Sequence, residues 1–366
     1  MENASEERYL LWLCFVTACD PRRCFGLMRR YGGARPVFDA AASGQLELLA
    51  RTKNRDESVK TYQSKANEGY IDRCLEYLEK KHIDAVSLTS DRYPPLLREI
   101  ADPPPVLFVM GTLKDMPLPI GVIGSRKCSE YGKRVALELS RELAERGATI
   151  ISGLAHGIDC IASKGALASG SDCPTVAVLG TGVDVIYPKA NARIYSEIVE
   201  RGAVVSEFLP GTPAAKYTFP RRNRVISGMS RGVVVVEAAE KSGTFITVDS
   251  ALDQGRDVFA VPGRVTDEKS RGTNRLISEG CAKAVNRAED ILSEYGFKGR
   301  SAPAPVDEGT LTYEQALVYR LLKAGERSFD ELCELTGFSA GLLNSALTEM
   351  EFSGIIKQSP GRVFGL

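Results

Sequence analysis

The pattern of apolar residues changes character along the chain. Residues 8 to about 75 are helical in character: Leu10, Leu11, Leu13, Phe15 and Val16 open an apolar stretch, and Asp20-Pro21 and Gly32-Gly33 interrupt it. This predicts short helices joined by tight turns. From about 82 to 294 short apolar runs take over, most of them separated by helical stretches such as 132–146 and 191–201. The expected strands are 83–88, 106–110, 120–123, 149–151, 175–179, 203–205, 233–236 and 258–261. Several of these runs are continuously apolar, the pattern of a parallel sheet covered on both faces, so the expected fold is α/β with an extended Rossmann-like sheet.

A Pro/Ala stretch, Ser301-Ala302-Pro303-Ala304-Pro305, then leads to a small C-terminal unit. Thr312 with Gln315 and Ser328 with Glu331 have capping-box spacing and mark two helix starts. A third helix is expected over 339–352, then short strands around 355–357 and 363–364 with Pro360-Gly361 as the turn. Three helices and a hairpin suggest a winged helix. The expected organisation is a helical domain over 1–78, a sheet domain over 79–298, a linker over 299–309 and a winged helix over 310–366.

A chain of 366 residues is long enough for two or three domains. No apolar run reaches the roughly 20 residues of a membrane span, and Glu2, Glu6 and Glu7 stand where a secretory leader would be basic. A cytoplasmic location is the expectation. Nine cysteines without a Cys-x-x-Cys, beside only His82 and His156, are read as reduced apolar residues. No metal or cofactor is expected. With 47 basic and 47 acidic residues the chain has no net field, so any binding of nucleic acid needs a local basic patch.

In a doubly wound sheet, ligands sit beyond the carboxyl ends of the strands. Gly124-Ser125-Arg126 follows the third expected strand: glycine permits close approach to an anion, serine and the helix-start amides donate, and arginine adds a bidentate charge. Ser152 and Gly153 open a second small-residue loop, running to Asp159, which is placed to cap a helix start. Lys241-Ser242-Gly243-Thr244 and Gly180-Thr181-Gly182 repeat the theme. There is no Gly-x-Gly-x-x-Gly on the first strand and no P-loop spacing. His156 has no evident triad partner, and no catalytic residue is assigned. The segment from Lys216 to Arg231 carries five positive charges and no acid. Tyr217 and Phe219 lie among Lys216, Arg222, Asn223 and Arg224, the mixture expected where bases stack and phosphates are neutralised.

These blocks together resemble the DNA-processing protein A (DprA, or Smf) family over roughly 85–294. The resemblance rests on Gly124-Ser125-Arg126, on Ser152-Gly153-x-Ala155-x-Gly157-Ile158-Asp159, on Phe219-Pro220-x-Arg222-Asn223-Arg224-x-Ile226-Ser227-Gly228, on Ser242-Gly243-Thr244-x-x-Thr247, on the block from Gln254 to Gly263, and on Gly272-Thr273-Asn274. It implies a Rossmann-like domain that binds single-stranded DNA and a homodimer that brings the RecA recombinase onto DNA in natural transformation. It implies Arg126 and Lys216 as phosphate-gripping residues, Phe219 as the base-contacting aromatic, and a sterile-alpha-motif-like N-terminal domain. The third C-terminal helix holds Glu349 and Glu351 but no lysine or arginine, which argues against duplex reading there and for a protein-contacting or self-docking role. The alternative is a phosphoribohydrolase-like enzyme using Glu207 and Glu237, but the Pro-Gly-Gly-x-Gly-Thr loop typical of such enzymes is replaced by Glu240-Lys241-Ser242-Gly243-Thr244.

Overall fold

The computed structural model describes residues 2–48, 54–299, 310–323, 325–353, 355–359 and 361–365. The chain forms two compact units, dividing between Gly299 and Arg300. The expected linker lies almost wholly outside the described residues.

The first unit begins with five helices: Glu2–Thr17, Pro21–Tyr31, Ala34–Ala42, Arg55–Lys65 and Glu68–Lys80. The breakers act as the sequence implies. Asp20 accepts from the Arg22 amide at 3.0 Å and caps the second helix, whose end passes through Gly32 at φ 90°. Trp12 is fully buried and donates its indole N–H to the Lys65 carbonyl at 2.8 Å. The core of these helices is continuous with Val106 and Phe108 of the sheet.

The sheet has nine strands: β1 (Asp84–Ser87), β2 (Val106–Gly111), β3 (Pro119–Ile123), β4 (Thr149–Ser152), β5 (Thr175–Val178), β6 (Ala203–Ser206), β7 (Gly232–Val235), β8 (Asp257–Ala260) and β9 (Lys283–Ala284). Their order is β1-β2-β6-β5-β4-β3-β7-β8-β9. Eight of them stand where the apolar runs predict. The ninth, two exposed residues long, carries no apolar signal.

From β6 to β9 every neighbouring pair is parallel. β1 pairs with β2, and β2 with β6, antiparallel, so the sheet is a parallel Rossmann-like core with an antiparallel extension. The one helix between β1 and β2, Pro95–Arg98, is only four residues long.

Alternation on β7 shows how the faces are covered. Val233 and Val235 pack on one face with Val225, Ile226 and Met229, and Val234 and Val236 on the other with Leu139, Leu143 and Ala162. Each such valine contributes roughly 1.5–3 kcal/mol on burial. The strand order reverses at β3, which has β4 on one side and β7 on the other. Such a switch point opens a crevice beyond the strand ends.

The second unit has helices Tyr313–Lys323, Phe329–Thr336 and Ala340–Phe352, and strands β10 (Arg327–Ser328), β11 (Lys357–Ser359) and β12 (Val363–Gly365) in the order β10-β12-β11. Both expected capping pairs form. β10 is too short to be legible in the sequence; β12 pairs with it and with β11 to close the winged-helix sheet. The Pro360-Gly361 turn falls partly outside the described residues.

Candidate nucleic-acid interface

The loops after β3, β4, β5 and β7 do not stand apart. The Ile158 amide donates to the Ser125 carbonyl at 3.2 Å, and the Ser125 amide to the Glu237 carbonyl at 2.8 Å. Glycine makes this tying possible. Gly157, at φ 80°, has no space for a Cβ against the Ser125 carbonyl, and a Cβ at Gly124 would meet Ile158 Cγ1 at 2.7 Å.

Glu237 anchors the whole cluster. It is buried and accepts from the Ser129 amide at 2.8 Å and from the Ser129 hydroxyl. That clamps the start of the helix Glu130–Glu145 to the end of β7.

Above these loops lies a groove of about 750 Å³. Arg126 and Lys127 line it from the β3 loop, Lys216, Phe219, Pro220, Asn223 and Ile226 from the helix Thr218–Met229 and its approach, and Lys241, Ser242, Gly243 and Thr244 from the β7 loop. Arg126, Lys127, Lys216 and Lys241 are exposed, and none forms an ion pair among the described residues. Among the described residues the only carboxylate in the lining is Asp159, which is buried. A chain without net charge therefore concentrates four free cations on one concave surface.

Phe219 stands between these charges, with the Arg126 guanidinium carbon 5.6 Å from its ring centre. Its position depends on Gly180, where a Cβ would meet Phe219 Cδ1 at 2.9 Å. A smaller pocket of about 40 Å³ adjoins the groove at this point and shares Arg126, Phe219 and Tyr187 with it. His156 lines that pocket, and among the described residues no carboxylate lines it.

The floor is an internal polar cluster. Arg222 is buried and donates from Nη1 to the carbonyls of Gly153 and Val178, both at 2.6 Å, and from Nε to Asn223 Oδ1 at 3.1 Å. Burial pulls its guanidinium down to about 10, against the attraction of Asp159. Burial pushes the Asp159 carboxyl up, against Arg222 and the amides of Ala155 and Gly153. A Cβ at Gly153 would strike Arg222 Nη1 at 2.5 Å and Asp159 Oδ2 at 2.6 Å, so only glycine fits. Asp159 therefore holds amides of the preceding loop rather than capping the helix Ile158–Ala168 as expected, since the N-cap of that helix is Gly157, with no side-chain cap.

Three expected contacts are corrected by this geometry. Ser152 is buried and donates to the Val122 carbonyl at 2.7 Å, joining strands rather than facing the groove. Arg222 lines the floor, but Nη1 is held by two carbonyls and Nε by Asn223, so it has no free fork to offer a phosphate. Arg224 faces away, pairing with Glu207 and with Asp102. On a helix, positions 221 and 224 share one face while 219, 222, 223 and 226 share another, and only the second meets the groove.

Glu207 is buried, bound by Arg221 and Arg224, and does not line the groove. Burial raises its carboxyl above the usual range, against those two arginines. The alternative enzyme reading thereby loses both of its acids. Tyr217, 70% exposed, stands outside the groove wall. Lys127 and Tyr187 line it without having been singled out. The run Ser125-Arg126-Lys127 was a readable sign for the first; for Tyr187, only the glycine loop seven residues earlier pointed to the region.

A Rossmann-like sheet with a basic, aromatic-lined groove at its switch point defines a nucleic-acid-binding protein. The profile of DNA recombination-mediator protein A matches residues 84–296, and that of the DprA winged helix domain matches 302–362. The chain belongs to the DNA recombination-mediator protein A family, the DprA/Smf family.

It is 44% identical to the DNA processing protein DprA of Streptococcus pneumoniae over 220 residues, which is 60% of this chain and 77% of that protein. It is 39% identical to the protein Smf of Escherichia coli over 300 residues, 80% and 79% of the two chains. Among solved structures, that of DNA processing protein A from S. pneumoniae superposes with a TM-score of 0.65 at 35% identity, covering 78% of this chain and 97% of that one. A structure of DNA processing protein A from Helicobacter pylori, described for its single-stranded DNA binding mode, gives a TM-score of 0.54 at 29% identity, covering 60% and 97%.

Proposed function

We propose that the groove binds single-stranded DNA, and that the protein is a non-enzymatic mediator that protects incoming strands and helps load the RecA recombinase during natural transformation. One observation carries this reading: Arg126, Lys127, Lys216 and Lys241, none of them ion-paired among the described residues, converge on the same groove as Phe219. Cations spaced along a groove suit a run of phosphates, and binding gains from the counterions those phosphates release. A single strand also offers base faces to Phe219, which a duplex keeps inside its stack.

The Ser242-Gly243-Thr244 turn supports the phosphate role. Ser242 Oγ bonds Thr244 Oγ1 at 2.9 Å and receives the Thr244 amide at 3.2 Å, forming a compact hydroxyl cluster before the helix Phe245–Asp253. Asn223 adds a side-chain amide on the facing wall. Family membership supports a mediator's role without catalysis. It also supports a homodimer, contact with RecA and action in the cytoplasm. Among the described residues no helix is long and apolar enough to cross a membrane.

The test is a mobility-shift comparison of single- and double-stranded oligonucleotides, wild type against Arg126→Ala. Wild type should prefer the single strand and Arg126→Ala should bind both more weakly. Equal single-strand binding by the two proteins would remove the groove from the account. Light scattering on the full chain checks the dimer.

A further inference from the structure

Phe219 has little free surface. The Arg126 guanidinium lies over it, Gly180 presses on one edge, and the Tyr187 ring approaches to 5.5 Å between centres at an interplanar angle of 40°. A base arriving at Phe219 must compete with Arg126 for the ring. Tyr187 differs. It is 47% exposed, it lines both the groove and the small pocket, and its hydroxyl has no hydrogen-bond partner among the described residues.

The loop beneath it is firmly held. Pro188 is buried, and the buried Asn191 donates to the Leu154 carbonyl at 2.9 Å. A large ring kept half in solvent on an anchored loop adds little to the core. It does offer a flat apolar surface beside four cations that form no ion pair among the described residues.

We propose that Tyr187 is a second base-stacking residue, forming with Phe219 a two-ring ledge that takes two neighbouring bases of the bound strand. This rests on the single-stranded DNA reading of the groove. The rings touch, so a base does not slide between them. It lies on the ledge they share, with Arg126 at the side of Phe219 to meet the phosphate. Stacking needs the ring and not the hydroxyl, so the ledge is indifferent to sequence.

The test is fluorescence anisotropy of the full-length protein with an oligothymidylate and with an oligomer of equal length made of abasic deoxyribose-phosphate units. Tyr187→Ala should lose on the order of fivefold to a hundredfold in affinity for the oligothymidylate. Tyr187→Phe should bind as wild type, and on the abasic oligomer all three proteins should bind alike. The double variant Phe219→Ala/Tyr187→Ala should bind oligothymidylate more weakly than Phe219→Ala. Wild-type affinity in Tyr187→Ala, an equal loss on both oligomers, or a double variant no weaker than Phe219→Ala would each overturn the proposal. Arg126→Ala separates the two failures. If it weakens oligothymidylate binding while Tyr187→Ala does not, the groove stands and the ledge falls; if Arg126→Ala has no effect, the groove reading itself has failed.

Discussion

The helix Thr218–Met229 presents two faces built from similar residues to different ends. One turns Phe219, Arg222, Asn223 and Ile226 toward the groove. The other turns Arg221 and Arg224 onto buried Glu207, and Arg221 also donates to the Cys19 carbonyl of the N-terminal helices at 2.5 Å. The second face holds the helix in place. The first, with Lys216 just before it, lines the groove. Positive charge in a sequence is therefore no measure of what a site can grip; what counts is whether the charge already has a partner.

The sharpest way to break this contrast is to exchange the expected losses. Arg224→Ala leaves Glu207 buried with one partner fewer and should cost about 3 kcal/mol of stability in urea melts, while single-strand affinity of the folded protein stays within about twofold. If Arg224→Ala instead left stability intact and weakened DNA binding, the two faces would have been assigned the wrong way round.

Next in size is Phe219→Ala, expected to weaken single-strand binding by about 1–3 kcal/mol in anisotropy titrations with little change in melting. A variant that binds normally would make the ring mere packing against Gly180.

The paired face also predicts a dependence on pH. Burial outweighs the attraction of Arg224 and Arg221 and raises the Glu207 carboxyl above 4.5, so the folded chain binds this proton more tightly than the unfolded chain. The contribution is fully present at lower pH and is lost as pH rises from 4.5 through the folded-state value. Urea melts taken at rising pH from 4.5 should show this fall, and Glu207→Gln should flatten it.

Smaller still are Lys216→Ala and Arg126→Ala, each of which should lower the slope of log affinity against log salt by about 1. Their stability should not change, since neither has an ion pair to lose among the described residues.

The least effect is expected in the winged helix. Arg362 donates to Asn344 Oδ1 at 3.0 Å and lies over the Phe329 ring at 4.1 Å, so the wing's arginine is occupied within its own unit. The facing helix Ala340–Phe352 carries no basic residue. Arg362→Ala in the full chain should leave duplex affinity unchanged in a mobility shift. A loss of duplex binding would reopen a DNA-reading role for this unit, for which we propose protein contact or self-docking.

Much of the fold was legible along the chain because local patterns carry it. Val233–Val236 could only be a strand buried on both faces, Ser328 with Glu331 could only open a helix, and the glycines at 124, 153, 157 and 243 marked the loops beyond strand ends. β9 and β10, at two residues each, are held by neighbouring strands and have no pattern of their own. The antiparallel extension depended on which strand β2 would find as a partner, and that choice is made in space.

At the site, residue types alone determined that a basic, aromatic, glycine-rich surface would gather at the end of a parallel sheet, because loops after successive parallel strands must emerge on one side. Tertiary structure alone decided which charges remain available. Arg222 and Arg224 read like Arg126 in the sequence, but carbonyls beneath the groove hold the first and Glu207 and Asp102 the second. Tyr187 reached the groove for the same kind of reason: its loop is anchored through Asn191 to the Leu154 carbonyl, 37 positions earlier. Hydrogen bonds and ion pairs between residues far apart in the chain set these outcomes, and neither spacing nor composition encodes such partners.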